Sequence, residues 1–155
     1  MNRPVAPWWA GVRQWLGQHP LRGVLVALGL ITALTGVAEI VAPHGLLILL
    51  GASPTPLAAQ LFGTVGLFMV VVGALLAQSL LGPAPSREVV LWAGVQKLGA
   101  AVAVSIAVAN DLFGPIALLV ALFDLATAGL LALYWAQLRP AVPRRAQRTA
   151  RDDRS

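Results

Sequence analysis

The sequence predicts an all-α polytopic membrane protein: an antiparallel bundle of four transmembrane helices, preceded by an amphipathic helix lying at the interface. Three observations predict it. Of 155 residues, 58% are hydrophobic and only 11% charged, with a mean hydropathy of +0.79. Four apolar stretches reach 20 residues or more, enough to cross a hydrocarbon core about 30 Å thick at about 1.5 Å per residue. The basic residues gather at the two ends of the chain. Such a composition excludes an ordinary soluble enzyme, a disordered tail and a disulfide scaffold.

In chain order, residues 1–22 form a tail that contains the expected interfacial helix, PWWAGVRQWLGQH. Trp8, Val12, Trp15 and Leu16 share one helical face, and Arg13, Gln14 and Gln18 lie opposite. Indoles favour the headgroup layer, so this helix should lie flat, starting after Pro7 and stopping at Pro20. Residues 23–138 form the membrane domain, with spans expected at 23–42, 57–81, 89–109 and 115–138. Pro43, the Ser53-Pro54 and Pro56 cluster, Gly82-Pro83-Ala84-Pro85, and Asn110-Asp111 with Gly114-Pro115 separate them. The first span reads as a membrane helix rather than a cleaved signal, because Glu39 falls where a cleavage end should be and no A-x-A follows. GLLILLGA, residues 45–52, is too short to span; it reads as a loop on the outer surface, with an interfacial or re-entrant segment as the alternative.

Residues 139–155 make a basic tail. Of the 11 basic residues, nine (Arg3, Arg13, Arg22, Arg139, Arg144, Arg145, Arg148, Arg151 and Arg154) lie at the chain ends, and Arg87 sits in the second loop. Both termini inside and loops one and three outside satisfy the positive-inside rule. The tail arginines suit anionic headgroups at about 1 kcal/mol each. Nucleic acid is an unlikely partner, since no aromatic residues interleave with the charges. The expected partners are therefore membrane lipids, a second copy or another membrane protein, and a lipophilic small molecule. Trp92, Tyr134 and Trp135 complete an aromatic belt at the inner level.

Three ionisable residues lie within spans: Glu39, Lys97 and Asp124. Charge in the bilayer costs at least about 2.5–3.5 kcal/mol, so each must face a partner or a cavity. Lys97 lies about 13 Å from the inner end of its span and Asp124 about 13 Å from the outer end of the next. That leaves a depth difference of about 4 Å, which a lysine side chain can bridge. Ala93, Gly94, Ala100 and Ala101 flank the lysine, and Val120, Ala121, Thr127 and Ala128 flank the aspartate, so the two helices can approach closely and Thr127 can add a hydrogen bond. The pair is either a structural staple or part of a site. Gln96 is a further polar candidate beside Lys97.

Glu39 is expected only about 6 Å below the outer surface. Thr32, Thr35, Gly36 and Glu39 form a polar stripe, and Gln60, Gly63 and Thr64 occupy the outer end of span two, with His44, Asn110 and Asp111 just above. The expectation is an outward-opening polar pocket in which Glu39 binds a proton or a cation; reaching to interfacial water is the plainer reading. No metal is expected, because only a convergence of His44, Glu39 and Asp111 would make a site and no ligand spacing marks one. No cofactor is implied. With no cysteine and no histidine within a span, thiol chemistry and intramembrane bis-histidine haem ligation are excluded, and no GxSxG, Walker or dinucleotide motif occurs.

Small residues in spans two to four, including Gly66, Gly73, Gly94, Gly99, Ala103 and Ala107, are expected to serve packing within the bundle, with one stripe available for a dimer face. A bundle this small calls for oligomerisation or a shallow lateral groove.

The blocks FGTVGLFMVVVGALLAQ, EVVLWAGVQKLGAAVAV and LFDLATAGLLALYW resemble those of small bacterial inner-membrane proteins with four helices, in the neighbourhood of DoxX-like proteins. The resemblance covers about residues 23–138 and rests on length, four spans and the lysine of the third helix. It implies the bacterial cytoplasmic membrane, a quinone-related or redox accessory role, and lipophile contact around Lys97 and Asp124. Size and helix number also resemble small multidrug exporters, whose membrane glutamate in the first helix would be matched by Glu39. The leading functional expectation is a non-enzymatic accessory or lipophile-binding protein. One alternative is a proton- or cation-coupled transporter using Glu39. Another is an acid–base enzyme acting on a lipophilic substrate with Glu39, Lys97, Asp124 and Tyr134.

Overall fold

The computed structural model describes residues 19–138. The expected interfacial helix and the basic tail lie outside the described residues. Within them the protein is all-helical, and four helices are long and apolar enough to cross a membrane. It is a multi-pass integral membrane protein.

Helix α1 spans Pro20–Val41 and begins three residues earlier than expected. Pro20 sits in the first turn, where its missing N–H is one the helix cannot use. This draws Arg22 into the helix, and its guanidinium donates to the carbonyls of Leu80 and Gly82. Those carbonyls close the far end of α3, where a helix leaves acceptors unfilled. Helix α2 spans Pro43–Leu49 and corrects the loop expected there. Pro43 starts it, and an apolar segment beside the bundle gains more by closing its own backbone bonds than by lying open. Leu47, 3% exposed, turns inward. Gly51, at φ +76°, ends α2 with a paired closure: its N–H reaches Ile48 O and that of Ala52 reaches Leu47 O, both at 2.9 Å.

Helix α3, Pro56–Leu81, is capped by Thr55, whose hydroxyl accepts from the Ala58 N–H at 3.1 Å. Helix α4, Arg87–Ala109, is capped in the same way by Ser86 toward Val89. It ends with the closure seen in α2, here with Asp111 at φ 56° in the position glycine usually takes. A 3₁₀ turn, Pro115–Ala117, leads into α5, Leu118–Gln137, and together they form the fourth span.

The four long helices pack as two antiparallel pairs, α1 with α3 and α4 with α5, with far fewer contacts between pairs. The first pair is set by glycine. Residues 59, 66, 73 and 80 of α3 are buried at intervals of seven, and α1 buries Leu25, Gly29, Thr32, Gly36 and Glu39 at alternating steps of four and three. A Cβ at Gly36 would lie 2.4 Å from Gly66 O, and one at Gly73 2.5 Å from Gly29 O, so only glycine permits this approach. Gly99 and Ala103, expected to pack within the bundle, instead face outward, and a Cβ at Gly99 meets nothing.

The pairs are joined at both ends. Near the face where α1 begins and α5 ends, here the terminal face, Leu25, Val26, Leu76, Leu80, Val90, Ala93 and Leu131 form an apolar core. At the opposite, hairpin face, Gly114 N–H donates to Leu50 O at 2.7 Å and Gly51 lies against Gly114. Large apolar side chains cover the outside, among them Leu34, Phe68 and Leu119, each more than 60% exposed. An apolar collar of this extent requires hydrocarbon around it.

Candidate functional site

Between the apolar core and the hairpin face, the interior turns polar. Among the described residues the buried polar and charged side chains are Thr32, Glu39, Lys97, Asp124 and Thr127, none more than 8% exposed. They come from α1, α4 and α5. Lys97 Nζ lies 2.6 Å from Asp124 Oδ1 and 5.4 Å from the centroid of the Phe123 ring, so the ammonium has both an anionic and a π-face partner. The approach relies on Ala93 and Ala101 on α4 and Ala121 and Ala128 on α5, all buried. Thr127 does not join the pair; its hydroxyl donates to Phe123 O at 2.8 Å within its own helix, as Thr32 does to Leu28 O at 2.9 Å.

Glu39 belongs to this interior group and does not line the groove at the hairpin end where Gln60, Gly63, Thr64 and His44 of the expected pocket lie. Its residue is 8% exposed, its Cβ lies beside Gly66 of α3, and it is within electrostatic reach of Lys97 and Asp124. Its Oε2 atom is buried without a hydrogen-bond partner among the described residues. The expected stripe splits because Thr35 lies about 80° round the helix from the centre of the buried face at 100° per residue. Thr35 is exposed and bonds Ile31 O. Leu47 of α2 is buried at the hairpin side, where the loops are joined by the Gly114 N–H to Leu50 O.

Gln60, Gly63 and Thr64 do share a groove with His44, Ile40, Pro43, Pro56, Ala59 and Leu67, about 430 Å³ in volume, at the hairpin end. Glu39 does not line it, and Asn110 bonds Ile106 O in its own turn. Among the described residues no three of His, Cys, Asp or Glu converge as metal ligands. Gln96 is half-buried, with Oε1 shielded and without a partner among the described residues.

A second groove, about 470 Å³, runs along the outer side of α4 and α5. Val90, Gly94, Leu98, Leu125, Gly129 and Trp135 are among its walls, and no charged residue lines it. It exists because Gly94 and Gly129 leave the seam between the helices shallow; a Cβ at Gly129 would meet nothing within 4 Å. At its terminal end the Arg87 guanidinium stacks 3.9 Å over Trp135, and Arg87 Nε is buried without a hydrogen-bond partner among the described residues. The sequence reading counted Arg87 toward topology and Trp135 toward the belt. What could have linked them is that the start of α4 and the end of α5 must meet in an antiparallel pair. No protein-family model, curated protein or solved structure matches this chain, so its functional reading rests on these residues.

Proposed function

We propose that this chain is a non-enzymatic accessory component of the membrane that binds one lipophile, an amphiphile with an apolar tail and an anionic head. The observation that carries this reading is the apolar groove on α4 and α5, ending at the Arg87–Trp135 stack. Its volume suits a small-molecule tail, and a guanidinium at its terminal end suits an anionic head. The DoxX-like resemblance favours a lipophile too, although it implied contact at Lys97 and Asp124, which are buried and line neither groove. A transporter using Glu39 and an acid–base enzyme would both place their chemistry on Glu39, Lys97 or Asp124, none of which lines either groove. The arginine distribution supports both chain ends on the cytoplasmic side, and the DoxX-like resemblance favours the bacterial cytoplasmic membrane.

The test is native mass spectrometry of the full chain extracted in mild detergent. Wild type should retain an anionic lipophile, and Gly129→Leu, which fills the groove without displacing backbone, should lose it. Arg87→Gln should keep adducts but lower the anionic share several-fold. Equal retention and equal head composition in all three proteins would reject the groove as the binding site.

A further inference from the structure

The polar interior holds two carboxylates and one ammonium. Lys97 is engaged by Asp124 at 2.6 Å, while Glu39 has one carboxylate oxygen buried with no partner among the described residues. We infer that the interior is a binding site for a single exchangeable proton, carried on Glu39 and held beside the Lys97–Asp124 pair. This stands independently of the lipophile groove, which none of the three residues lines.

Charge accounting carries the argument. With Glu39 ionised, the group would hold one uncompensated negative charge, with Oε2 shielded from solvent. Among the described residues no other element packed against Glu39 supplies a compensating cation. Helix α3 has no ionisable residue, α2 offers only His44, which is exposed at the hairpin groove, α4 offers Lys97 and α5 offers Asp124. The missing positive charge is a proton rather than a metal ion, because hard cations require several oxygen ligands. Among the described residues no three of His, Cys, Asp or Glu converge, and the hydroxyls of Thr32 and Thr127 are directed to helix carbonyls, so that ligand set is not assembled around Glu39. Bonding to carboxylate Oε2, the proton leaves Glu39 neutral and the interior balanced. When it departs, the buried carboxylates outnumber the ammonium by one. The buried group therefore has two charge states.

The sequence contains two glutamates, Glu39 and Glu88, and Glu88 is exposed. Full-length protein labelled with ¹³C at the glutamate carboxyl and placed in lipid nanodiscs therefore gives two signals, assigned by the surface variant Glu88→Gln. At pH 7 a free glutamate, with a pKa of about 4.3, is ionised. Glu39 is expected at the neutral-acid position and Glu88 at the carboxylate position. In Asp124→Asn, which frees Lys97, the Glu39 signal should move to the carboxylate position. Two carboxylate signals in wild type at pH 7 would overturn the proposal whether or not the variant folds. A Glu39 signal that moves with added sodium at fixed pH would overturn it in favour of a metal cation.

Discussion

At the residue scale, the Lys97–Asp124 pair is a requirement created by burial rather than a net gain. Both side chains are about 5% exposed, and a buried pair roughly breaks even against apolar residues of similar size, whereas removing one partner strands the other at about 3–5 kcal/mol. Asp124→Asn is expected to lower stability in detergent, and the double change Lys97→Met with Asp124→Leu to recover most of the loss. Glu39 makes this cycle unusual, because a second carboxylate stands within electrostatic reach of the lysine. The cost of Asp124→Asn should therefore be larger in a Glu39→Gln background than in wild type. A thermal-unfolding cycle checks this coupling, and additive losses between positions 39 and 124 would show that the lysine never changes partner. Depth arithmetic could place Lys97 beside Asp124 from sequence, since both depths are counted along straight helices from nearby breakers. It did not place Glu39, whose reading rested on nearness to Pro43 and on the stripe with Thr32, Thr35 and Gly36; Thr35 faces outward, whereas Glu39 is 8% exposed.

At the element scale, two kinds of glycine separate cleanly. Gly36 and Gly66 allow α1 and α3 to touch backbone to backbone, whereas Gly99 faces open space. Gly36→Ala is expected to force the pair apart at a cost of about 1–3 kcal/mol. Gly99→Ala removes backbone freedom at no steric cost and should stabilise by about 0.4–1 kcal/mol. Unfolding midpoints of the two variants in the same detergent decide it, and matching shifts would mean that the α1–α3 seam is looser than its geometry. The span boundaries were legible to within a few residues because prolines and capping hydroxyls mark them. Which small residues face inward was not legible, since α4 carries glycine and alanine on several faces and period alone does not say which meets a neighbour. Helix α2 was missed for a related reason: seven residues are too few to show a period, and only tertiary contact at Leu47 gives one face a reason to turn inward.

At the scale of the whole molecule, two tight helix pairs meet through an apolar core at one end and a loop-to-loop hydrogen bond at the other, with the charged group between them. The arrangement makes the even number of spans a structural fact within the described residues, because α1 begins and α5 ends on the same face. Charge is the property expected to choose which face is cytoplasmic. Arg22 and Arg87 lie at the terminal face, the described part of the two hairpin loops carries no arginine or lysine, and the remaining arginines lie in the two chain ends attached to the terminal face. Insertion follows the excess of Lys and Arg in short loops and flanks. Reporter fusions after residues 52, 86, 112 and 150 are therefore expected to read outside, inside, outside and inside. An outside reading at 150 alone would contradict the four-span bundle. The full inverse at all four points would leave the bundle standing but show that the arginines at the terminal face do not set its orientation, and the proposed anionic-head site at Arg87 would then open to the opposite leaflet.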